Sequence, residues 1–160
     1  MKINLYDMET DAQGNHGLVM EKTLDYNAEK IASPEDAAKM ITELTGISSK
    51  AEEHIYMLSL NSSCEIAGLF FISKGSANAS FLTPREIFMR ALLSGAVQII
   101  LFHNHPSGNC TPSDDDIKIT KRIKEVGELV CISLTDHIII GGLESGAYLS
   151  MREAGLLEGA

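Results

Sequence analysis

Two histidines one residue apart, His103 and His105, close an apolar run, Ile99-Ile100-Leu101-Phe102, and Asp116 follows eleven residues later with Ser113 ahead of it. Imidazole nitrogens and a carboxylate oxygen are donors that zinc accepts. On a strand, side chains two apart project to the same side, so an extended run would aim His103 and His105 at one point. Pro106-Ser107-Gly108 turns the chain, and a helix opening at Ser113 would return the Asp116 carboxylate to that point. Three protein ligands leave a fourth tetrahedral position for water, which distinguishes catalytic zinc from a closed structural site. Each residue also has a plainer use. A His-x-His pair can decorate a sheet rim, Ser113 is well placed as an N-cap, and Asp114, Asp115 and Asp116 suit the positive end of a helix. Cys110, between the candidate ligands, is either a soft competitor for the metal or a bystander thiol.

Helices and strands must carry this chemistry, and their signals are local. Ser33-Pro34-Glu35-Asp36 offers an N-cap, a proline at the first helical position and acids in the first turn, with Gly46 as the stop. Thr83-Pro84-Arg85-Glu86 reads as a capping box opening a second helix that Gly95 ends. Ser113 opens a third, whose apolar stripe Ile117, Ile119, Ile123 and Val126 runs to a stop at Gly127. Strand-like runs cover His54 to Leu60, Ile66 to Ser73, Val97 to His103 and Val130 to Ile140. Several are apolar on both faces, as strands covered by helices on both sides must be. Asn61-Ser62-Ser63 suits a hairpin between the first two. The expected class is α/β, with a mixed, mostly antiparallel sheet and flanking helices. Residues 1–15 are polar and punctuated by Gly14-Asn15, so a flexible arm is expected there, followed by an edge strand over Gly17 to Leu24.

A chain of 160 residues, 44% apolar and 22% charged, is the size of one globular domain. That domain is expected over residues 26–152, between an N-terminal arm, 1–25, and a C-terminal tail, 153–160. Three cysteines, an odd number without a C-x-x-C spacing, fit a reduced cytoplasmic protein. No apolar run approaches the roughly 20 residues of a membrane helix, and the acidic start of the chain lacks the apolar stretch of a secretion signal. The formal charge of −9 has the wrong sign for gripping a phosphate backbone, and no basic cluster exceeds Lys121-Arg122, so nucleic acid is not an expected partner.

The spacing H-x-H-x7-S-x2-D made by His103, His105, Ser113 and Asp116 resembles the core of the JAMM (MPN+) metalloproteases. The runs HNHPSG from His103, PREIFMRAL (Pro84 to Leu92) and DHIIIG (Asp136 to Gly141) resemble its bacterial RadC branch. The resemblance implies a JAMM-type (cytidine-deaminase-like) α/β/α sandwich with a curled, mixed sheet. It implies one zinc ion per chain, held by His103, His105 and Asp116, with Ser113 as donor to the oxyanion of a tetrahedral intermediate. It also implies a glutamate base at the start of the first core strand, which here is Glu53. Glu52 would face the other way, Glu65 is an alternate, and Glu86 is explained by its capping box. Asp136 and His137 are candidates for a carboxylate-imidazole pair beside the metal, or for a structural hydrogen bond at a strand start. The implied activity is hydrolysis of a peptide or isopeptide amide, in which zinc brings the pKa of a water to about 7 and Glu53 takes its proton. A noncatalytic scaffold and a DNA-repair factor are the alternatives. The intact donor set opposes the first; the charge, and the absence of a helix-hairpin-helix pattern in residues 1–50, oppose the second. No residue identifies the protein or peptide substrate.

Overall fold

Seven strands form one sheet in the computed structural model, which describes residues 1–28, 30–75, 82–142 and 146–157. The strands are β1 (Lys2–Thr10), β2 (His16–Asp25), β3 (Glu53–Leu60), β4 (Ile66–Gly75), β5 (Gln98–Asn104), β6 (Ser133–Ile140) and β7 (Tyr148–Ser150). Their spatial order is β2-β1-β4-β3-β5-β6-β7. The pairs β1–β4 and β5–β6 are parallel and the other neighbours antiparallel, the mixed sheet that was expected. The described helices are α1 (Pro34–Thr45), α2 (Pro84–Leu93) and α3 (Asp114–Leu129).

Strand alternation distributes the helices. On β3 and β5, Ile55, Met57, Ile99 and Leu101 enter one core with Ile87, Phe88 and Ala91 of α2 and Ile123 of α3. Tyr56, Leu58, Leu60 and Phe102 enter the opposite core with Ala37, Ala38, Met40 and Ile41 of α1. The result is three layers, α1 on one side of the sheet and α2 with α3 on the other. Because β5 and β6 are parallel, α3 serves as their crossover, and its N-terminus returns to the end of β5 that carries His103. No described helix is long and apolar enough to cross a membrane.

Several local expectations are corrected. The stretch read as a flexible arm contains β1, which pairs with β2 on one side and with β4 on the other, and it buries Ile3 and Leu5 against α1. The alternation Ile3-Asn4-Leu5 is a strand signal diluted by the acids that follow it. β2 is the edge strand expected over Gly17 to Leu24. Gly127 does not end α3, which runs on to Leu129, and β6 accordingly starts at Ser133 rather than Val130. Glycine is needed there for a different reason, since a Cβ would lie 2.4 Å from the Ile132 carbonyl oxygen. Glu86 completes only half of a capping box. Its amide donates to Thr83 Oγ1, but its carboxylate turns to the buried guanidinium of Arg90 at 2.9 Å, a charge-assisted bond stronger than one to a neutral amide. Leu157, placed in the expected C-terminal tail, is buried in the core with α2 and α3, while residues 158–160 of that tail lie outside the described residues.

Candidate metal centre

β5 supplies the first two donors. His103 is its penultimate residue, and His105 keeps the strand direction one residue past its end through a bond from its amide to the Ile140 carbonyl. The third donor comes from the first turn of α3. Ser113 is the N-cap and forms a complete capping box with Asp116: Ser113 Oγ accepts from the Asp116 amide at 3.1 Å, and Asp116 Oδ2 accepts from the Ser113 amide at 2.8 Å. The hydroxyl hydrogen of Ser113 also points at Asp116 Oδ2, 2.6 Å away. Two bonds to Oδ2 thus hold the Asp116 carboxylate, and the third fixes its backbone at the start of α3.

The donors converge. Nε2 of His103 and Nε2 of His105 are 2.9 Å apart, and the Asp116 carboxylate lies 3.4 Å from the first and 3.5 Å from the second. All three donor atoms lie within 4.8 Å of one another, and among the described residues no other group of three His, Cys, Asp or Glu side chains converges in this way. The His105 Nδ1 atom is 2.7 Å from the Asn109 carbonyl oxygen, which can only accept, so in the neutral ring the proton sits there and the Nε2 lone pair faces the cluster. Lone pairs crowded on one point are satisfied by a cation. Two imidazoles and a carboxylate are a donor set that suits zinc, and these residues fit such an ion.

Electrostatics follow from the same crowding. Burial drives His103 well below its ordinary value, with His137 adding to the effect, and burial takes His137 down to about 4. His105 is raised, first by its hydrogen bond to Asp116. Burial pushes the Asp116 carboxyl up, but the bonds from His105 and Ser113 and the field of His103 outweigh it and hold the group below the usual carboxylate range.

Glu53 opens β3. The antiparallel register sets Ile55 opposite His103, so two residues on Glu53 comes opposite His105, on the same face. Burial raises its carboxyl pKa, the nearby Asp116 charge raises it further, and His105 works against both. Glu53 is outside the converging donor group. Glu52 faces away and pairs with Lys74 at 3.3 Å. Glu65 sits in the β3–β4 turn at the far end of the sheet, bonded to Asn61. The Cys110 thiol is also outside the group, packed where a Cβ on Gly141 would come within 3.0 Å of its sulfur.

Asp136 and His137 do not form a carboxylate-imidazole pair; the structural alternative holds, with Asp136 Oδ1 accepting from the His137 amide at 2.8 Å. Adjacent strand residues face opposite sides, so His137 reaches His103, its Nε2 lying 2.8 Å from His103 Nδ1, whereas the Asp136 carboxylate binds Ser150 Oγ and the Arg152 amide across the sheet. There Asp136 borders a cavity of about 540 Å³ lined by Leu58, Ile100 and Ile138. Two contributors were missed in the sequence. Asn104 points away from the metal donors, and its amide group accepts from the His54 amide at 2.7 Å and donates to the Lys50 and Glu52 carbonyls, which anchors the segment carrying Glu53. Thr120, fully buried on α3, bonds both the Asp116 carbonyl and His137. An asparagine inside a buried strand and a threonine on the buried face of a helix are the available signals, because a buried polar group must find partners.

Histidines at the end of a central strand and an acid at the start of the crossover helix make a group that could hold a metal ion on a three-layer α/β scaffold. The family model of the RadC-like JAB domain matches residues 31–156, and the chain belongs to that family. It is 42% identical over 132 residues to a UPF0758 protein of Clostridium acetobutylicum, covering 82% of this chain and 56% of that protein. A UPF0758 protein of Shouchella clausii is 41% identical over 126 residues, 78% of this chain and 52% of its own length. One from Listeria monocytogenes is 42% identical over 125 residues, 78% and 54% of the two chains. The chain therefore spans about half the length of the curated relatives it matches.

The doubled role of Ser113 is separable by substitution. Ser113→Ala removes the cap and is expected to cost about 1 kcal/mol in a denaturation midpoint, and to weaken zinc binding because Asp116 Oδ2 loses a donor. Ser113→Asp should keep the cap and the stability, yet place a second carboxylate against Asp116. Chemical denaturation alongside zinc titration distinguishes the two; equal zinc binding in all three proteins would remove Ser113 from the site.

Proposed function

We propose that this domain is a zinc-dependent hydrolase of peptide or isopeptide bonds whose substrate is a protein or peptide. The observation that carries the reading is the three-donor group with a separate carboxylate, Glu53, facing it from the neighbouring strand. A bound zinc ion would lower the pKa of a water at its open position to about 7 and polarise a substrate carbonyl. His103, His105 and Asp116 would hold the ion. Glu53, raised above an ordinary carboxyl, accepts a proton from the attacking water and returns it to the leaving amine. Asn104 keeps the start of β3 in place so that Glu53 stays opposite His105. Ser113 holds Asp116, and donation to an oxyanion would require its hydroxyl hydrogen to leave Asp116 Oδ2. The net charge of −9 supports a protein or peptide substrate over a nucleic acid.

Screening the zinc-loaded chain against quenched peptide libraries and lysine-linked isopeptides tests the reading. Cleavage that stops on chelation and returns with zinc is expected. Zinc-loaded protein that cleaves nothing across both libraries favours a binding scaffold instead.

A further inference from the structure

A line of hydrogen bonds joins two of the metal donors behind the site. The Thr120 hydroxyl lies 2.6 Å from the Asp116 carbonyl oxygen and 2.6 Å from Nδ1 of His137. Nε2 of His137 lies 2.8 Å from Nδ1 of His103. Each separation requires one hydrogen, and the hydrogens can be assigned by elimination. A carbonyl carries none, so the first belongs to Thr120; the Met151 sulfur at 3.6 Å is too weak an acceptor to compete. Thr120 Oγ1 then offers His137 only lone pairs, which places the His137 proton on Nδ1. A neutral imidazole protonated at Nδ1 has a lone pair at Nε2, so His103 Nδ1 is the donor in the next contact. His103 is left with a lone pair at Nε2, the atom that faces His105 and Asp116.

We propose that Thr120 and His137 are positioning residues, forming a relay anchored on the Asp116 carbonyl that holds His103 as its Nδ1–H tautomer and so reserves the Nε2 lone pair for a divalent metal ion. The inference rests on the metal-site reading above and extends it to residues outside the donor set. Asp116 thereby acts twice, through its carboxylate on the ion and through its carbonyl on the tautomer of His103. The two histidine donors obtain the same tautomer by different means: His105 from a local carbonyl, Asn109, and His103, buried inside the sheet, only through other side chains. Thr120 and His137 are 0% and 1% exposed, so water offers neither side chain an alternative partner. Coupling also runs to the helix, because a shift of α3 that moved Thr120 would release the tautomer and displace Asp116 together.

Thr120→Val keeps nearly the same shape and removes the hydroxyl, whereas Thr120→Ser keeps the hydroxyl and removes the methyl. Zinc affinity, read by competition with a chromophoric chelator, is expected to fall roughly 10-fold or more in Thr120→Val and to stay near wild type in Thr120→Ser, the range usual for losing a group that orients a metal-bound histidine. A packing role predicts the reverse order, since valine preserves the buried methyl groups. Nitrogen NMR of the metal-free proteins gives a second readout: a pyrrole-type Nδ1 and pyridine-type Nε2 on His103 in wild type, disturbed in Thr120→Val. Wild-type affinity and an unchanged tautomer in Thr120→Val overturn the relay. If wild-type protein takes up no zinc, the functional reading fails while the tautomer still decides the relay, and a proton on His103 Nε2 in the metal-free wild type refutes it.

Discussion

Glu53→Gln is expected to lower turnover on a cleavable amide by about 10² or more while leaving the fold and the zinc content close to wild type. Glutamine is nearly isosteric and can still hydrogen-bond a water, but it cannot take the water's proton. Glu53 also lies outside the converging donors, so its loss removes no ligand. Glu52→Gln and Glu65→Gln change the same charge at positions that face Lys74 and the far β3–β4 turn, and both should retain activity. Kinetics on a substrate from the library screen, with zinc measured on the same samples, make the comparison. A Glu53→Gln enzyme as fast as wild type, or a dead Glu65→Gln, reassigns the base.

The second large effect is on the metal itself. His103→Ala and Asp116→Ala should each weaken zinc binding by more than the roughly 10–100-fold usual for loss of an outer hydrogen-bond partner, because each removes a donor atom. Asp116→Ala also breaks the capping box, at about 1 kcal/mol, so a melt must accompany its zinc titration. Undiminished zinc in both variants would dismiss the ligand assignment. Proton competition gives an independent signature. His105 is raised above its ordinary value of 6.5 by its bond to Asp116, while burial keeps His103 and His137 neutral. A proton therefore competes with zinc mainly at His105: affinity falls as pH drops through the range of that group and levels off above it. Below that range the expected release approaches one proton per zinc bound and above it falls toward none; a slope of two protons would mean that His103 is charged in the metal-free protein.

Much of the site is local, and for that reason it was legible in the sequence. The reach from His103 to His105 is the period of a strand, and the return of Asp116 is the first turn of a capped helix; both follow from covalent geometry over fourteen residues. The helix starts at Ser33, Thr83 and Ser113 were legible on the same terms, since an N-cap uses backbone groups within three residues. Stops were less so. Gly127 resembles a helix terminator, yet it is set by the approach of the Ile132 carbonyl, a contact with the chain beyond the helix.

What the sequence by itself determined, then, is the donor set, the mixed helix-covered sheet and the caps that orient Asp116. Tertiary structure alone decided which distant side chains surround that set. Glu53 meets His105 only through the β3–β5 register, and the sequence pointed to it by family resemblance, with no local signal to distinguish it from Glu52 beyond the alternation of a strand. β6 lies beside β5 with the His137 ring on the donor side and the Asp136 carboxylate on the other, and that decided between the two readings of these neighbours in favour of a structural hydrogen bond. Asn104 and Thr120 acquire their tasks from partners fifty and seventeen residues away. Strand pairing and helix docking depend on the packing of both cores at once, and no window of local sequence contains that sum.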